Sequence, residues 1–363
     1  MIVINGRFLS QEISGVQRFA EQISLSLARL RGDVRFVAPP GPLPREEIAQ
    51  RLNVERIGRH RGHLWEQVDL PLWLARNGRP LLVSLCNTAP LAYGRQLATH
   101  HDIAYVRHPE SFSWRFRVLY RTLTPLMLRR VLALVSVSEF SRREIAAHYR
   151  FPAERIHVIG NAVSAAFCPG PVATGGRPYL LAVSSPAAHK NFAQMIEAFD
   201  LLRDLDVDLH IVGSASRSFV DYRLQSSEQH ERVRWLGRID DSRLIEEYRG
   251  AAAFVFPSLY EGFGIPPLEA QACGCPVIAA RSASIPEVLG NSALYFDPVD
   301  TQALATAMRR VLRDAKLRGG LRNAGLENVL RYSWDLSALR LSSLIDSFLA
   351  EGADCLPRFN SLE

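Results

Sequence analysis

The stretch "SLYEGFGIPPLEAQACGCPVI" (258–278) places two carboxylates, Glu261 and Glu269, eight positions apart, with Gly262, Gly264, Pro266 and Pro267 between them. The apolar run before it, "AAFVFPS", has the length and composition of a buried strand. Proline is well tolerated in the first turn of a helix, so "PPLEAQACG" predicts a helix start, and Gly274 a helix stop. The order is therefore strand, glycine loop, helix, with Glu261 before the loop and Glu269 expected in the first helical turn. In open α/β sheets ligands bind beyond the carboxyl ends of the strands, where this loop would lie. Backbone N–H groups and the positive end of a helix suit a phosphate, and glycines let a ligand approach the backbone closely. Ionised carboxylates accept from hydroxyls. Two of them flanking a phosphate cradle suit a ligand with hydroxyls on both sides of its phosphates, as in a nucleotide sugar. The same residues also fit a plainer arrangement, in which Glu269 complements the helix dipole and the glycines only turn the chain.

Outward from this stretch the chain alternates short apolar runs with amphipathic ones. "MIVI", "DVRFVA", "PLLVSL", "RQLATHHD", "VLALVSVS" and "RIHVIG" read as strands, with "GVQRFAEQISLSLARL" and "EFSRREIAAHY" as helices among them. Residues 163–177, "VSAAFCPGPVATGGR", break the rhythm with Pro, Gly and small residues, as a linker does. It then restarts with "PYLLAVSS", the helical "KNFAQMIEAFDLLRDL", and the strands "DLHIVG", "VRWLG", "AAFVFPS", "PVIAA" and "ALYFD". Such βαβ alternation predicts parallel sheets covered on both faces. The expectation is two doubly wound domains, residues 1–162 and 163–334, with a last helix over about 335–363 packing back onto the first.

The 363 residues suit two cores better than one. No run approaches the roughly 20 apolar residues of a membrane span, and "MIVINGRFLS" lacks the basic-then-apolar order of a signal peptide. A cytoplasmic protein is expected. Cys86, Cys168, Cys273, Cys275 and Cys355 have neither disulfide nor zinc spacing and read as buried free thiols. Lys190 and Lys316 are the two lysines among 43 basic residues, which singles out the loop at 190. The net charge of +6 is scattered, and no nucleic-acid motif accompanies it.

The 258–278 stretch resembles the Glu-x7-Glu signature of glycosyltransferase family 4, retaining enzymes of the GT-B fold, in which two Rossmann-like domains face each other across a cleft. "AVSSPAAHKN" (182–191) resembles that family's lysine loop, and "RSASIPEVLGNSALYFDPVD" the segment after its signature. "SVSEFSRREI" and "RIHVIGNAV" resemble the end of its first domain, "SGVQRFAEQI" its first glycine turn, and "THHDIAYVRHPESF" its His-Asp loop. These segments span nearly the whole chain in the family's order. The resemblance implies that Glu261 holds hydroxyls of the transferred sugar, that Glu269 holds the ribose, and that Lys190 neutralises the departing diphosphate. It implies that His101 faces the reacting sugar, and that Gly15 lies near the diphosphate. Amides of Gly262, Phe263, Gly264, Ile265 and Leu268 would contact sugar and phosphates, and Asp102, Ser184 and Arg238 complete the donor-binding set. Ser184 stands where many relatives carry an arginine, His189 stands where arginine is frequent, and "GNAV" replaces the commoner "NGV" order.

The resemblance implies a retaining hexosyltransferase without metal or other cofactor. The first expectation is mannose from GDP-mannose, moved to a growing, lipid-linked glycan of lipopolysaccharide or exopolysaccharide. A UDP- or dTDP-sugar donor, carrying glucose or rhamnose, is the alternative within the class. A catalytically silent nucleotide-sugar binder is the alternative outside it, and an epimerase or phosphorylase of the same architecture is disfavoured by the two glutamates. The first domain would bind the acceptor. "SWRFRVLYRTLTPLMLRRVL" (113–132), aromatic and basic, reads either as a helix resting on an anionic membrane or as a core helix with a charged outer face. "RIGRHRGH" (56–63) is a second basic loop that could meet an acidic acceptor or a membrane. The expected location is the cytoplasm or the inner face of the cytoplasmic membrane, with no nucleic-acid partner.

Overall fold

A computed structural model describes residues 1–171, 176–183, 187–213 and 232–350. The chain divides into two compact units. One holds Met1–Ile103, Trp114–Asn161 and the chain from Ser333 on; the other holds Ala104–Ser113 and Ala162–Tyr332.

The first unit is built on seven parallel strands: β1 (Ile2–Asn5), β2 (Val34–Ala38), β3 (Glu55–Arg56), β4 (Leu81–Ser84), β5 (Gln96–Thr99), β6 (Ala133–Ser136) and β7 (Ile156–Val158). Their order across the sheet is 3-2-1-4-5-6-7. The central strands β1, β4, β5 and β6 are buried at every residue, which is why β1, β4 and β6 read as largely apolar runs rather than alternating ones. Helix α1 (Gly15–Leu30) starts where the Ser14 side chain accepts from the Val16 N–H. It buries Phe19, Ala20, Ile23 and Leu27, a stripe at helical spacing. Helix α2 (Trp114–Leu128) carries Pro125 inside it. Helix α3 (Glu139–Tyr149) is capped by Ser138 and ends at Arg150 in the left-handed region. The last helix, Trp334–Ala350, lies against α1, with Arg29 bonded to Asp335 and Arg31 to Asp346, each at 2.6 Å.

The second unit carries six parallel strands: β8 (Tyr179–Val183), β9 (Asp208–Val212), β10 (Val233–Gly237), β11 (Ala253–Phe256), β12 (Val277–Ala280) and β13 (Leu294–Phe296). The sheet order is 10-9-8-11-12-13. Counted within the unit this is 3-2-1-4-5-6, the doubly wound order whose ligand crevice lies between its first and fourth strands. In this unit those are β8 and β11, which are paired in parallel. The switch point of the first sheet lies equivalently between β1 and β4.

Helix α4 runs over Phe192–Asp200, shorter at both ends than "KNFAQMIEAFDLLRDL" suggests. Asn191 before it adopts φ +59, and the chain beyond Asp200 turns. Helix α5 (Asp241–Gly250) is capped by Asp240, and α6 (Ile265–Ala272) follows β11. Among the described cysteines Cys273 and Cys275 are buried, but Cys168 is exposed and Cys86 half-buried, so burial describes only part of the set. No helix among the described residues is long and apolar enough to cross a membrane.

Candidate active site

The two loops that leave the second switch point carry the lysine and the first glutamate. After β8 the chain forms a short 3-10 turn, Ala188–Lys190, closed by the left-handed Asn191, whose amide donates to the Pro298 carbonyl at 3.0 Å. After β11 it runs through Ser258 and Tyr260 to Glu261. The Leu259 N–H donates to the His189 carbonyl at 2.8 Å, tying the loops together. Lys190 Nζ donates to Glu261 Oε1 at 2.7 Å, with the side chains 18% and 12% exposed. The loop after β12 supports the arrangement from below: Ser284 Oγ donates to the Glu261 carbonyl at 2.9 Å and Ser282 Oγ to the Ser258 carbonyl at 2.6 Å.

Gly264 sits at φ +90 immediately before α6, a conformation that residues with a Cβ rarely adopt. Pro266 and Pro267 occupy the second and third helical positions and have no N–H to give. This helix start therefore offers fewer backbone N–H groups than the motif alone suggests. Phe263, Ile265 and Leu268 are buried, and the Phe263 ring meets Tyr332 edge-on at 5.5 Å.

Glu269 departs from its expected position. It is the fifth residue of α6, and no acidic residue occupies the first turn. Dipole complementation fades beyond the first turn, so that plainer reading of Glu269 fails. Its carboxylate is instead buried and accepts from the Tyr248 hydroxyl at 3.3 Å.

Of the remaining sequence candidates, Gly15, His101 and Asp102 lie in the first unit. Gly15 is the exposed first residue of α1. His101 follows β5 and is buried. Its backbone N–H donates to Asn87 Oδ1 at 2.8 Å, and its ring packs edge-on against Phe19 at 5.0 Å. Ring Nε2 lies 3.1 Å from the Leu85 carbonyl, which can only accept, so the proton sits on Nε2 and Nδ1 keeps its lone pair. Burial pushes the imidazole down to about 4 despite that bond, keeping it neutral. Arg238 follows the edge strand β10, two strands away from the switch point. Ser184 lies outside the described residues.

One group escaped sequence reasoning. His189, noted only as a replaced arginine, is buried, and burial first, then the Lys190 charge, pushes its ring down to about 3. Its partners come from the 104–113 segment, some eighty positions earlier. Ser111 Oγ accepts from the His189 N–H at 3.2 Å and lies 2.8 Å from Nδ1; Phe112 stacks on the ring. No local pattern announces such a contact.

The fold is that of a two-domain α/β protein whose second switch point carries a partly exposed charged pair. Comparison with known proteins narrows the class. The Glycosyltransferase Family 4 model matches residues 13–167, and the model described as Glycosyl transferases group 1 matches residues 170–327. O-antigen chain mannosyltransferase B of Escherichia coli is 32% identical over 257 residues, covering 66% of this chain and 67% of that protein. O-antigen chain mannosyltransferase RfbU of Salmonella typhimurium is 29% identical over 309 residues, 82% of each. Among solved structures, Anabaena Alr3699/HepE in complex with UDP-glucose matches with a TM-score of 0.74 at 17% identity, over 95% of this chain and 99% of that one. That likeness carries the fold, the GT-B architecture of two parallel-sheet domains. The chain belongs to glycosyltransferase family 4.

Proposed function

We propose that the protein is a retaining, metal-independent hexosyltransferase that moves mannose from GDP-mannose to a growing bacterial surface glycan carried on a lipid. The observation that carries this reading is the Lys190–Glu261 pair at the β8/β11 switch point, ahead of the Gly264–α6 turn. The carboxylate suits sugar hydroxyls and the ammonium a diphosphate. When the bond from the anomeric carbon to the phosphate oxygen breaks, negative charge gathers on the nucleoside diphosphate. Lys190 and the loop amides supply fixed positive charge and donors where that charge develops, which lowers the barrier. On this account they do so without a metal ion. Glu269 takes the ribose hydroxyls, and His101, neutral and held by Leu85, offers its Nδ1 lone pair toward the reacting sugar. Gly15, Asp102, Ser184 and Arg238 complete the sugar-donor site.

Mannose and a surface glycan are favoured by the two O-antigen mannosyltransferases among the relatives. Work at the inner face of the cytoplasmic membrane is supported by helix α2, which exposes Trp114, Val118 and Leu119 beside Arg115, a composition suited to an anionic interface. Residues 56–63 offer less, since His60 is bonded to Asp69 and Arg56 to Glu46.

A calorimetric titration of the protein with GDP-mannose, UDP-glucose and dTDP-rhamnose, in the presence of EDTA, tests the proposal. GDP-mannose should bind, and Glu269→Ala should weaken it by about tenfold, the worth of hydrogen bonds to a charged group. Binding of UDP-glucose alone would replace the donor and leave the chemistry. Binding that required a divalent ion would overturn the metal-independent mechanism.

A further inference from the structure

We infer that Ser111 is a positioning residue that holds Lys190 in place through His189, resting on the assignment of Lys190 to the diphosphate. The Ser111 hydroxyl is bonded twice to the same residue. It accepts from the His189 backbone N–H at 3.2 Å, and its oxygen lies 2.8 Å from ring Nδ1. Burial keeps the ring neutral, with the neighbouring Lys190 and His108 charges acting in the same direction and Glu110 opposing them.

The ring is also fixed by its neighbours. Phe112 stacks on it with centroids 6.0 Å apart and planes 7° apart, and His108 lies 5.8 Å from it. His108 in turn lies 5.7 Å from Tyr260, the residue before Glu261, and is bonded to Glu110 at 3.1 Å. Residues 108–112 thus form a strap over both loops of the switch point, and all of them belong to the second unit. Pinning backbone and ring of His189 together leaves the short turn Ala188–Lys190 little freedom. The flexible lysine stem then starts from a fixed point, which is what fixed-charge stabilisation of a leaving group requires.

A double-mutant cycle on the full-length chain tests this. Release of GDP from GDP-mannose is followed for wild type, Ser111→Ala, Ser111→Thr, Lys190→Ala and the Ser111→Ala/Lys190→Ala double variant, with kcat and KM resolved and melting temperatures recorded. Ser111→Ala should lower kcat about two- to tenfold, the worth of a lost hydrogen bond, with KM little changed. Ser111→Thr, which keeps the hydroxyl, should restore it. In the Lys190→Ala background the serine change should have almost no further effect, because residues acting through one group are not additive. An equal loss from Ser111→Ala in both backgrounds would overturn the inference and leave the role of Lys190 standing. Full turnover by Lys190→Ala would remove that role, and the inference with it.

Discussion

The two sheets share the order 3-2-1-4-5-6, to which the first adds a seventh strand, yet their switch points are built oppositely. At β1/β4 the loops bury a closed network. Asn5 donates to Glu66 Oε1 at 2.8 Å, Arg7 Nε to the same oxygen at 3.1 Å, and Thr88 Oγ1 to Glu66 Oε2 at 2.7 Å. The Arg7 and Glu66 side chains are 6% and 1% exposed. At β8/β11 a single lysine and a single carboxylate meet with more of each left open to solvent. A buried ion pair tied into further hydrogen bonds has little to offer a ligand, whereas a partly exposed pair can exchange partners. Topology therefore marks two places where a ligand could bind, and the side chains decide which one carries charged chemistry.

The largest effect expected on stability is at the closed site. Glu66→Ala leaves the Arg7 charge buried and unpaired, which should cost about 3–5 kcal/mol. Denaturant unfolding would measure this, and calorimetry should find the GDP-mannose affinity of the folded fraction unchanged. A lost affinity with stability intact would erase the contrast between the two switch points.

Acid titration sharpens the comparison further. Burial resists ionisation of Glu66, but Arg7 and its hydrogen-bond donors outweigh it and bring the carboxyl down to about 2. Its contribution is complete above the unfolded value near 4.5 and is lost as pH falls toward 2. The buried histidines act in a higher window. Burial brings His100 to about 3, His101 to about 4 and His189 to about 3. Between pH 6.5 and about 4 the unfolded chain takes up protons that the folded chain refuses, so stability falls as pH falls. Unfolding free energies measured from pH 7 to 4.5 should show this decline, before Glu66 contributes. His100→Gln should flatten it by about 1.4 kcal/mol per pH unit, the worth of one proton; an unchanged slope would mean that His100 is not held neutral.

Much of the fold is legible in the sequence because its elements carry local signals. "GVQRFAEQISLSLARL" matches α1 end to end since Ser14 caps it and its apolar stripe has helical period. Strands β1, β4 and β6 are legible because burial on both faces leaves them largely apolar. Glu261 and Lys190 stand out by motif and by residue type. Signals fail where geometry departs from pattern. The position of Glu269 is displaced because α6 begins at Ile265, after the left-handed Gly264. Glu66 is hidden because Trp65–Asp69 forms a π-turn, which shifts the helical phase of the side chains around it. The Ser111–His189 bond is invisible because it joins segments 78 positions apart.

Sugar is proposed to leave diphosphate at the β8/β11 pair, and turnover of Glu261→Ala is the decisive measurement. With GDP-mannose as donor, nucleoside diphosphate release should fall by about a hundredfold or more, the scale seen when one stabilising group is removed from a reacting centre, at an unchanged melting temperature. Near-normal turnover in that folded variant would contradict it.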